Sequence, residues 1–285
     1  MVAKITLEEF PPATLALLRF ALASLFLAPF FFAETKKIKI NKKDFPKLIG
    51  IGILMITLNI SFFFEGITKT TAINASVLTL IIPFLSVLLS WWFLKEKVYL
   101  INLGGVLVGL LGAAIILGIP ETLFGDFAPK VLIGNLLIIL ASISWVMGAI
   151  LSRQMLAKYP SLTVTGIAFA VGTLSFILPA TGEYFKNPSW INSVTPLGLL
   201  GLTYMTILSS VSAYFLFEWG LAKTSVVKAD LFQYLEPFIA TILAVSILGE
   251  TITYPFVFGA ILIGTGVYLG TFAKEAHHRY KFHRH

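Results

Sequence analysis

Residues 229–238 read Ala-Asp-Leu-Phe-Gln-Tyr-Leu-Glu-Pro-Phe, so Asp230, Gln233 and Glu236 stand inside a helix-length run that is otherwise apolar. Ionisable groups at such depth are costly and mark a functional region by default. The stretch has a copy 154 positions earlier, at residues 75–84. The two superimpose without a gap, pairing Lys69 with Lys223, Thr70 with Thr224, Ala75 with Ala229, Pro83 with Pro237, Phe84 with Phe238, Leu94 with Leu248 and Glu96 with Glu250. The chain is a duplication, and the two stretches are expected to be symmetry mates lining one central site.

The rest of the chain is apolar enough to say where that site lies. Of 285 residues 57% are hydrophobic and 12% charged, against about 25% charged in soluble domains, and the mean hydropathy is +0.90. This is the composition of an all-α integral membrane protein. Cysteine is absent, which excludes disulfides and thiolate metal sites. The net charge of +7 is not a nucleic-acid signature, because no basic helix with interleaved polar residues exists and cations gather in the cytoplasmic loops of membrane proteins.

A membrane helix needs about 20 mostly apolar residues, and polar punctuation divides the chain into nine such runs: Thr14–Phe32, Leu48–Gly66, Ala72–Leu94, Leu100–Gly118, Leu132–Leu156, Leu162–Pro179, Leu197–Leu221, Val226–Leu248 and Tyr254–Ala273. The most basic loop holds Lys36, Lys37, Lys39, Lys42, Lys43 and Lys47, and the positive-inside rule puts it in the cytoplasm. Alternation then places Lys95, Lys97, Arg153, Lys158, Lys223 and the C-terminal tail inside, and Glu8, Glu9, Glu121, Asp126, Glu183 and Glu250 outside. Lys69, Lys130 and Lys186 are the exceptions. The expectation is a multi-pass protein of the cell membrane with a cytoplasmic C-terminus.

Nine runs do not divide evenly between two copies. Aligning Phe10-Pro11 with Tyr159-Pro160 pairs Thr14 with Thr163, Phe20 with Phe169, Ala21 with Ala170 and Leu25 with Leu174, and sets Met1 opposite Ile150. The counterpart of Leu132–Gly148 is then missing from the first copy, so a five-plus-five architecture is expected, with the chain beginning at the last turns of the first helix. The repeats would be residues 1–119 and 132–274, followed by a basic tail at 275–285. An odd number of helices per repeat inverts one copy relative to the other, which is the build of many secondary transporters with a site near the midplane.

Read together, the Pro-Pro-Ala-Thr-Leu-Ala-Leu-Leu-Arg-Phe segment at Pro11–Phe20, the Lys69–Pro83 run with Leu-Lys-Glu at Leu94–Glu96, and Tyr-Leu-Glu-Pro-Phe at Tyr234–Phe238 with Leu-Gly-Glu at Leu248–Glu250 resemble the drug/metabolite transporter superfamily, EamA type. The resemblance covers the whole chain. It implies ten helices in two inverted repeats and export or exchange of small metabolites, and it leaves the substrate open.

Several residues are expected to line the central cavity. Ser76, Thr79, Pro83, Ser86 and Ser90 recur at steps of three and four, which stacks them on one helix face; their mates are Asp230, Gln233, Pro237, Ala240 and Ala244, with Glu236 beside them. Each proline frees a carbonyl, a break tolerated where it lines a cavity or is packed in protein. The serines and threonines serve equally as interhelical glue. Glu236 lies about eleven residues, or roughly 16 Å, into its helix, near the middle of a ~30 Å core. There it can exchange a coupling proton, meet an amine-bearing substrate, or bond a neighbouring helix as a structural carboxyl.

Trp145, Tyr214, Phe217 and Tyr234 are candidates for an apolar wall, with Asn59, Ser142 and Ser144 as further lining. Arg19 with Glu65 near the outer face, and Glu218 with Lys228 near the inner, are expected as ion pairs or gates, and Asp230 falls toward the cytoplasmic end near Lys228. Gly105-xxx-Gly109 and Gly266-xxx-Gly270 allow close backbone approach, which makes the fourth and ninth runs packing or homodimer elements. The tail histidines read as part of a solvated cationic tail near lipid, and no metal or cofactor is called for.

The function expected is secondary transport, export or exchange, of a small organic metabolite such as an amino acid or drug-like solute, by alternating access and with protons as a candidate coupling ion. The alternatives are a channel or a non-transporting membrane interaction module. A lipid-modifying enzyme is further off, because no His, Cys or paired-carboxylate cluster falls within the spans.

Overall fold

Lipid offers the backbone no hydrogen bonds, so a spanning segment must satisfy its own, as an α-helix does. The computed structural model describes residues 2–36, 38–70, 75, 78–94, 100–116, 129–231, 254, 257–266 and 268–269, and every regular element among them is helical. We number α1 Val2–Thr6, α2 Pro12–Thr35, α3 Lys42–Ile67, α4 Ile82–Leu94, α5 Leu100–Ile116, α6 Pro129–Leu156, α7 Ser161–Lys186, α8 Pro196–Lys223, α9 Val226–Leu231 and α10 Val257–Gly266. Five of them, α2, α3, α6, α7 and α8, are long and apolar enough to cross a membrane. Their outward side chains suit lipid: Leu25, Leu174 and Leu178 are 70%, 68% and 81% exposed, while Phe20 and Phe169 are fully buried. The chain is a multi-pass membrane protein.

α2 and α7 form one of the two most extensive helix pairs among the described residues, and their contacts display the inversion directly. Ser24 and Thr173 are mates in the 149-residue alignment, and their hydroxyls lie 3.2 Å apart. Phe20 and Phe169, also mates, pack edge to face at 5.4 Å. Residues that touch their own mates lie beside the axis relating the two copies. At the helix ends the contacts are reciprocal. The Glu183 carboxylate accepts from Ala13 N at 2.9 Å, Thr14 N at 2.7 Å and Thr14 Oγ1 at 2.8 Å, capping the exposed amides at the start of α2. Its mate Glu34 accepts from Thr163 Oγ1 at 3.2 Å at the start of α7.

α3 and α8 obey the 154-residue alignment equally well. Asn41 and Thr195 are mates; the side chain of the first caps Lys43 N and that of the second caps Gly198 N. Each also gives its own amide to the preceding loop of the other copy, Asn41 N to Tyr159 Oη at 3.1 Å and Thr195 N to Glu9 Oε2 at 2.7 Å. Both helices widen into a π-helical segment halfway along, Ile53–Leu58 in α3 and Met205–Ser212 in α8, where a regular α-helix was expected. The periodicity of the apolar residues carries no sign of these segments, because side chains from other helices hold them. The Ser144 hydroxyl donates to Leu54 O at 2.8 Å, the Tyr214 hydroxyl to Met55 O at 3.2 Å, and Arg19 Nη2 to Ser209 O at 3.2 Å. Met55 and Ser209 are mates, so the same carbonyl is claimed in both copies.

α4 is entered through a 3-10 turn at Thr79–Ile81, consistent with Pro83, which has no N–H to return to Thr79 O. α5 and α10 meet backbone to backbone: a Cβ on Gly266 would fall 2.4 Å from Gly105 O and 2.6 Å from Gly109 N. The glycines therefore seat these two helices against each other within one chain.

Candidate functional site

α8 carries buried polar side chains at four-residue intervals, Thr206, Ser210, Tyr214 and Glu218, which are 5%, 0%, 7% and 2% exposed. That spacing keeps them on one helix face, and twelve residues cover about 18 Å of depth. Three groups of neighbours face this column.

Near Ser210, Arg19 reaches across from α2 and is 4% exposed. Its Nε donates to Ser210 Oγ at 2.5 Å, its Nη2 to Ser209 O and Oγ at 3.2 Å each, and its guanidinium carbon stands 5.0 Å from the Phe20 ring centroid. At mid-column, Tyr214 meets Phe20, Phe169 and Trp145 edge to face at 6.1, 5.5 and 5.5 Å, and Phe217 packs on Trp145 at 4.8 Å. Beyond Trp145 come two fully buried carboxyl groups. Asp230 accepts from Trp145 Nε1 at 3.2 Å and from the Ser86 hydroxyl. Glu218 accepts from Ser152 Oγ at 2.5 Å.

The column joins Trp145, Tyr214 and Phe217 of the expected wall with Arg19, Glu218 and Asp230, which were expected as gates or ion pairs. The pairings differ from expectation. Arg19 is bonded by serines, whereas Glu65, at the end of α3, bonds Lys69 one turn on; a short carboxylate at the rim cannot reach a guanidinium two turns deeper. Glu218 bonds Ser152 rather than Lys228, and Asp230, expected near the face, is 0% exposed and tied to α4 and α6. Asn59 does not face the column: its Nδ2 donates to Ala141 O at 2.9 Å, joining α3 to α6. Ser142 bonds Ile138 O in its own helix. Thr79 sits in the 3-10 turn before α4. Ser76, Gln233, Tyr234, Glu236 and the tail histidines lie outside the described residues.

Ser209, Ser210 and Ser152 escaped the sequence reading. The Ser209-Ser210 doublet inside an apolar run was the one available signal. Two surface clefts, of about 440 Å³ beside Phe30, Glu34 and Leu162 and about 340 Å³ beside Pro12, Ile60 and Glu183, are lined by no residue of the column.

The column offers donors at one end, carboxyl groups that can hold protons at the other, and an aromatic wall between them. Among the described residues no three His, Cys, Asp or Glu side chains gather as a metal site. Toward the helix ends, charged side chains are held by near neighbours. Lys158 Nζ donates to Asp44 at 2.9 and 3.1 Å, which holds the lysine above its usual pKa. Glu9 accepts from Thr195 N and Oγ1 at 2.7 Å each, and these bonds lower its pKa.

Comparison with known proteins assigns this architecture. A transporter of Archaeoglobus fulgidus, named only as uncharacterized, is 32% identical over 269 residues, covering 94% of this chain and 90% of its own. The uncharacterized transporter YyaM of Bacillus subtilis is 25% identical, covering 93% of this chain and 86% of its own. The WAT1-related protein At2g40900 of Arabidopsis thaliana is 25% identical over 90% of this chain and 70% of its own. A crystal structure 22% identical in sequence superimposes with a TM-score of 0.73, covering 93% of this chain and 90% of that one, and shares the fold. The sequence profile of the EamA-like transporter family matches residues 1–118 and 132–272. An inverted, lipid-facing helical bundle with a polar column at its centre is thus a membrane transporter rather than an enzyme, and the chain belongs to the EamA-like transporter family.

Proposed function

We propose that the protein is a secondary transporter, an exporter or exchanger of a small organic metabolite, working by alternating access around the α8 column. The observation that carries this reading is the one-sided burial of Arg19, Tyr214, Asp230 and Glu218 where the two inverted repeats cross. Such groups are expensive in lipid and concentrate along solute and proton paths. The repeats are taken as residues 1–119 and 132–274, rocking against each other. With the basic loops taken as cytoplasmic, the protein sits in the cell membrane with its C-terminus and the 275–285 tail on the cytoplasmic side. Asp230 and Glu218 then lie toward the cytoplasm and Arg19 toward the outside.

Protons are the coupling ion in this reading. Glu218, bonded to the Ser152 hydroxyl and to no cation among the described residues, is a carboxyl group that can take up and release one. Gln233, Tyr234, Glu236, Ser76 and Thr79 complete the proposed lining, as expected from the repeat. The close α5–α10 contact within one chain favours a monomer over a homodimer through those helices.

The test is transport in proteoliposomes screened against amino acids and drug-like solutes under an imposed proton gradient. Gradient-driven uptake lost at least tenfold in Glu218→Gln, with solute exchange retained, supports the reading. Transport indifferent to Glu218→Gln, Glu236→Gln and Gln233→Ala would remove these residues from the mechanism, and single-channel currents would replace the transporter with a channel.

A further inference from the structure

Arg19 is a permanent cation buried at membrane depth, and among the described residues no carboxylate pairs with it. Its partners are neutral: the Ser210 hydroxyl, and the Ser209 carbonyl and hydroxyl. A guanidinium has five N–H donors, and none of its described bonds uses Nη1. The two serine oxygens accept from Arg19, so their own hydrogens point elsewhere, and none of the described bonds gives those hydrogens an acceptor. The cluster is therefore rich in donors and poor in acceptors, next to the aromatic rings of Phe20 and Tyr214. A buried charge left in that state is strongly unfavourable unless something supplies the opposite charge.

The inverted copy excludes a purely architectural need for the group. The mate of Arg19 is Ala168, and the mates of Ser209 and Ser210 are Met55 and Ile56. All three are buried in the apolar core. The same backbone crossing is made there with neutral groups only: the Met55 carbonyl takes its bond from the Tyr214 hydroxyl at 3.2 Å, and Thr57 and Ser175 share a hydrogen bond at 2.7 Å, so the fold needs a donor at this place but not a charge.

We propose that Arg19, with the Ser209 and Ser210 hydroxyls, is an anion subsite that binds the carboxylate of the transported solute, while Phe20 and Tyr214 face its apolar body. Planar guanidinium matches planar carboxylate, and the free Nη1 edge and the two hydroxyl hydrogens supply the donors. The proposal rests on the transporter reading, since a 4% exposed side chain meets solute only when the bundle opens.

The probes are benzoate, its uncharged isostere benzamide, and inorganic phosphate, read by thermal stabilisation and tryptophan fluorescence of the purified full chain. Benzoate is expected to stabilise the wild-type protein, with benzamide and phosphate doing so far less. Arg19→Gln is expected to weaken benzoate roughly tenfold to a hundredfold, with Arg19→Lys falling between. Wild-type protein that responds equally to benzoate and benzamide overturns the subsite without recourse to any variant, and phosphate matching benzoate overturns the carboxylate assignment. Folded Arg19→Gln that binds benzoate as well as wild type overturns the role of Arg19. Proteoliposome transport separates the two readings. Transport confined to neutral or cationic solutes and untouched by Arg19→Gln sinks the subsite and leaves the transporter. Arg19-dependent benzoate binding with no solute moved in any arm sustains the subsite and sinks the transporter.

Discussion

The crossing of α2 over the π-segment of α8 and the crossing of α7 over the π-segment of α3 are one arrangement built twice. In the first, Arg19 donates to Ser209 and Ser210. In the second, Gly52 and Gly172 draw the helices so close that a Cβ on Gly172 would stand 2.4 Å from Ile56 Cγ2, and one on Gly52 would stand 2.6 Å from Val171 Cβ. The scaffold is symmetric and the chemistry is not. Duplication supplied the inverted frame, and the polar groups then sit on one side of it, as Glu218 does opposite the buried Phe64.

The comparison breaks hardest if the polar group is moved to the apolar side. Ala168→Arg places an unpaired charge in the close-packed crossing and is expected to destabilise by about 3–5 kcal/mol, read by unfolding in mixed micelles. Adding Met55→Ser and Ile56→Ser should recover part of the loss, and no recovery would mean that the serines are not what makes the guanidinium tolerable. Gly172→Leu comes next, since overpacking of this kind costs about 1–3 kcal/mol. Its midpoint should fall well below wild type, and an unchanged midpoint would show that α3 and α7 are not in the tight contact described.

On the axis itself the effect is smaller. Ser24→Ala removes one interhelical hydrogen bond, worth about 0.6 kcal/mol in a membrane protein, and Thr173→Val in the same chain should add only the loss of the bond that Thr173 Oγ1 gives to Phe169 O at 2.8 Å within α7. Smallest is Glu9 at the rim. Its pKa is lowered in the folded protein, so its contribution is present above the ordinary carboxylate pKa and fades as pH falls through the folded value. A slight acid-induced drop in melting temperature should be missing in Glu9→Gln.

Much of the frame was legible from residues alone. The runs beginning at Thr14, Leu132, Leu162 and Leu197 fall within α2, α6, α7 and α8, because lipid forces long apolar helices on any chain that crosses it. The alignments pairing Thr14 with Thr163 and Lys69 with Lys223 anticipated contacts as local as Glu183 to Thr14 and Glu34 to Thr163. The candidate site was legible only in part. Trp145 and Tyr214 stand out as bulky amphipathic residues inside spans, but the partners of Arg19 lie 190 and 191 positions away and that of Glu218 lies 66 away. A serine hydroxyl has no periodic signature, and pairing charge with charge, Arg19 with Glu65, ignored the difference in depth between them.

The central claim is that the α8 column is opened to each side of the membrane in turn. The chain has no cysteine, so Ser209→Cys, halfway along α8, is a single reporter in an otherwise silent background. Labelling it with a membrane-impermeant maleimide from either side of oriented vesicles is the direct test. The account predicts reaction from both sides, with solute conditions that raise labelling from one side lowering it from the other. Labelling from neither side, or from both at once without that exchange, would contradict it.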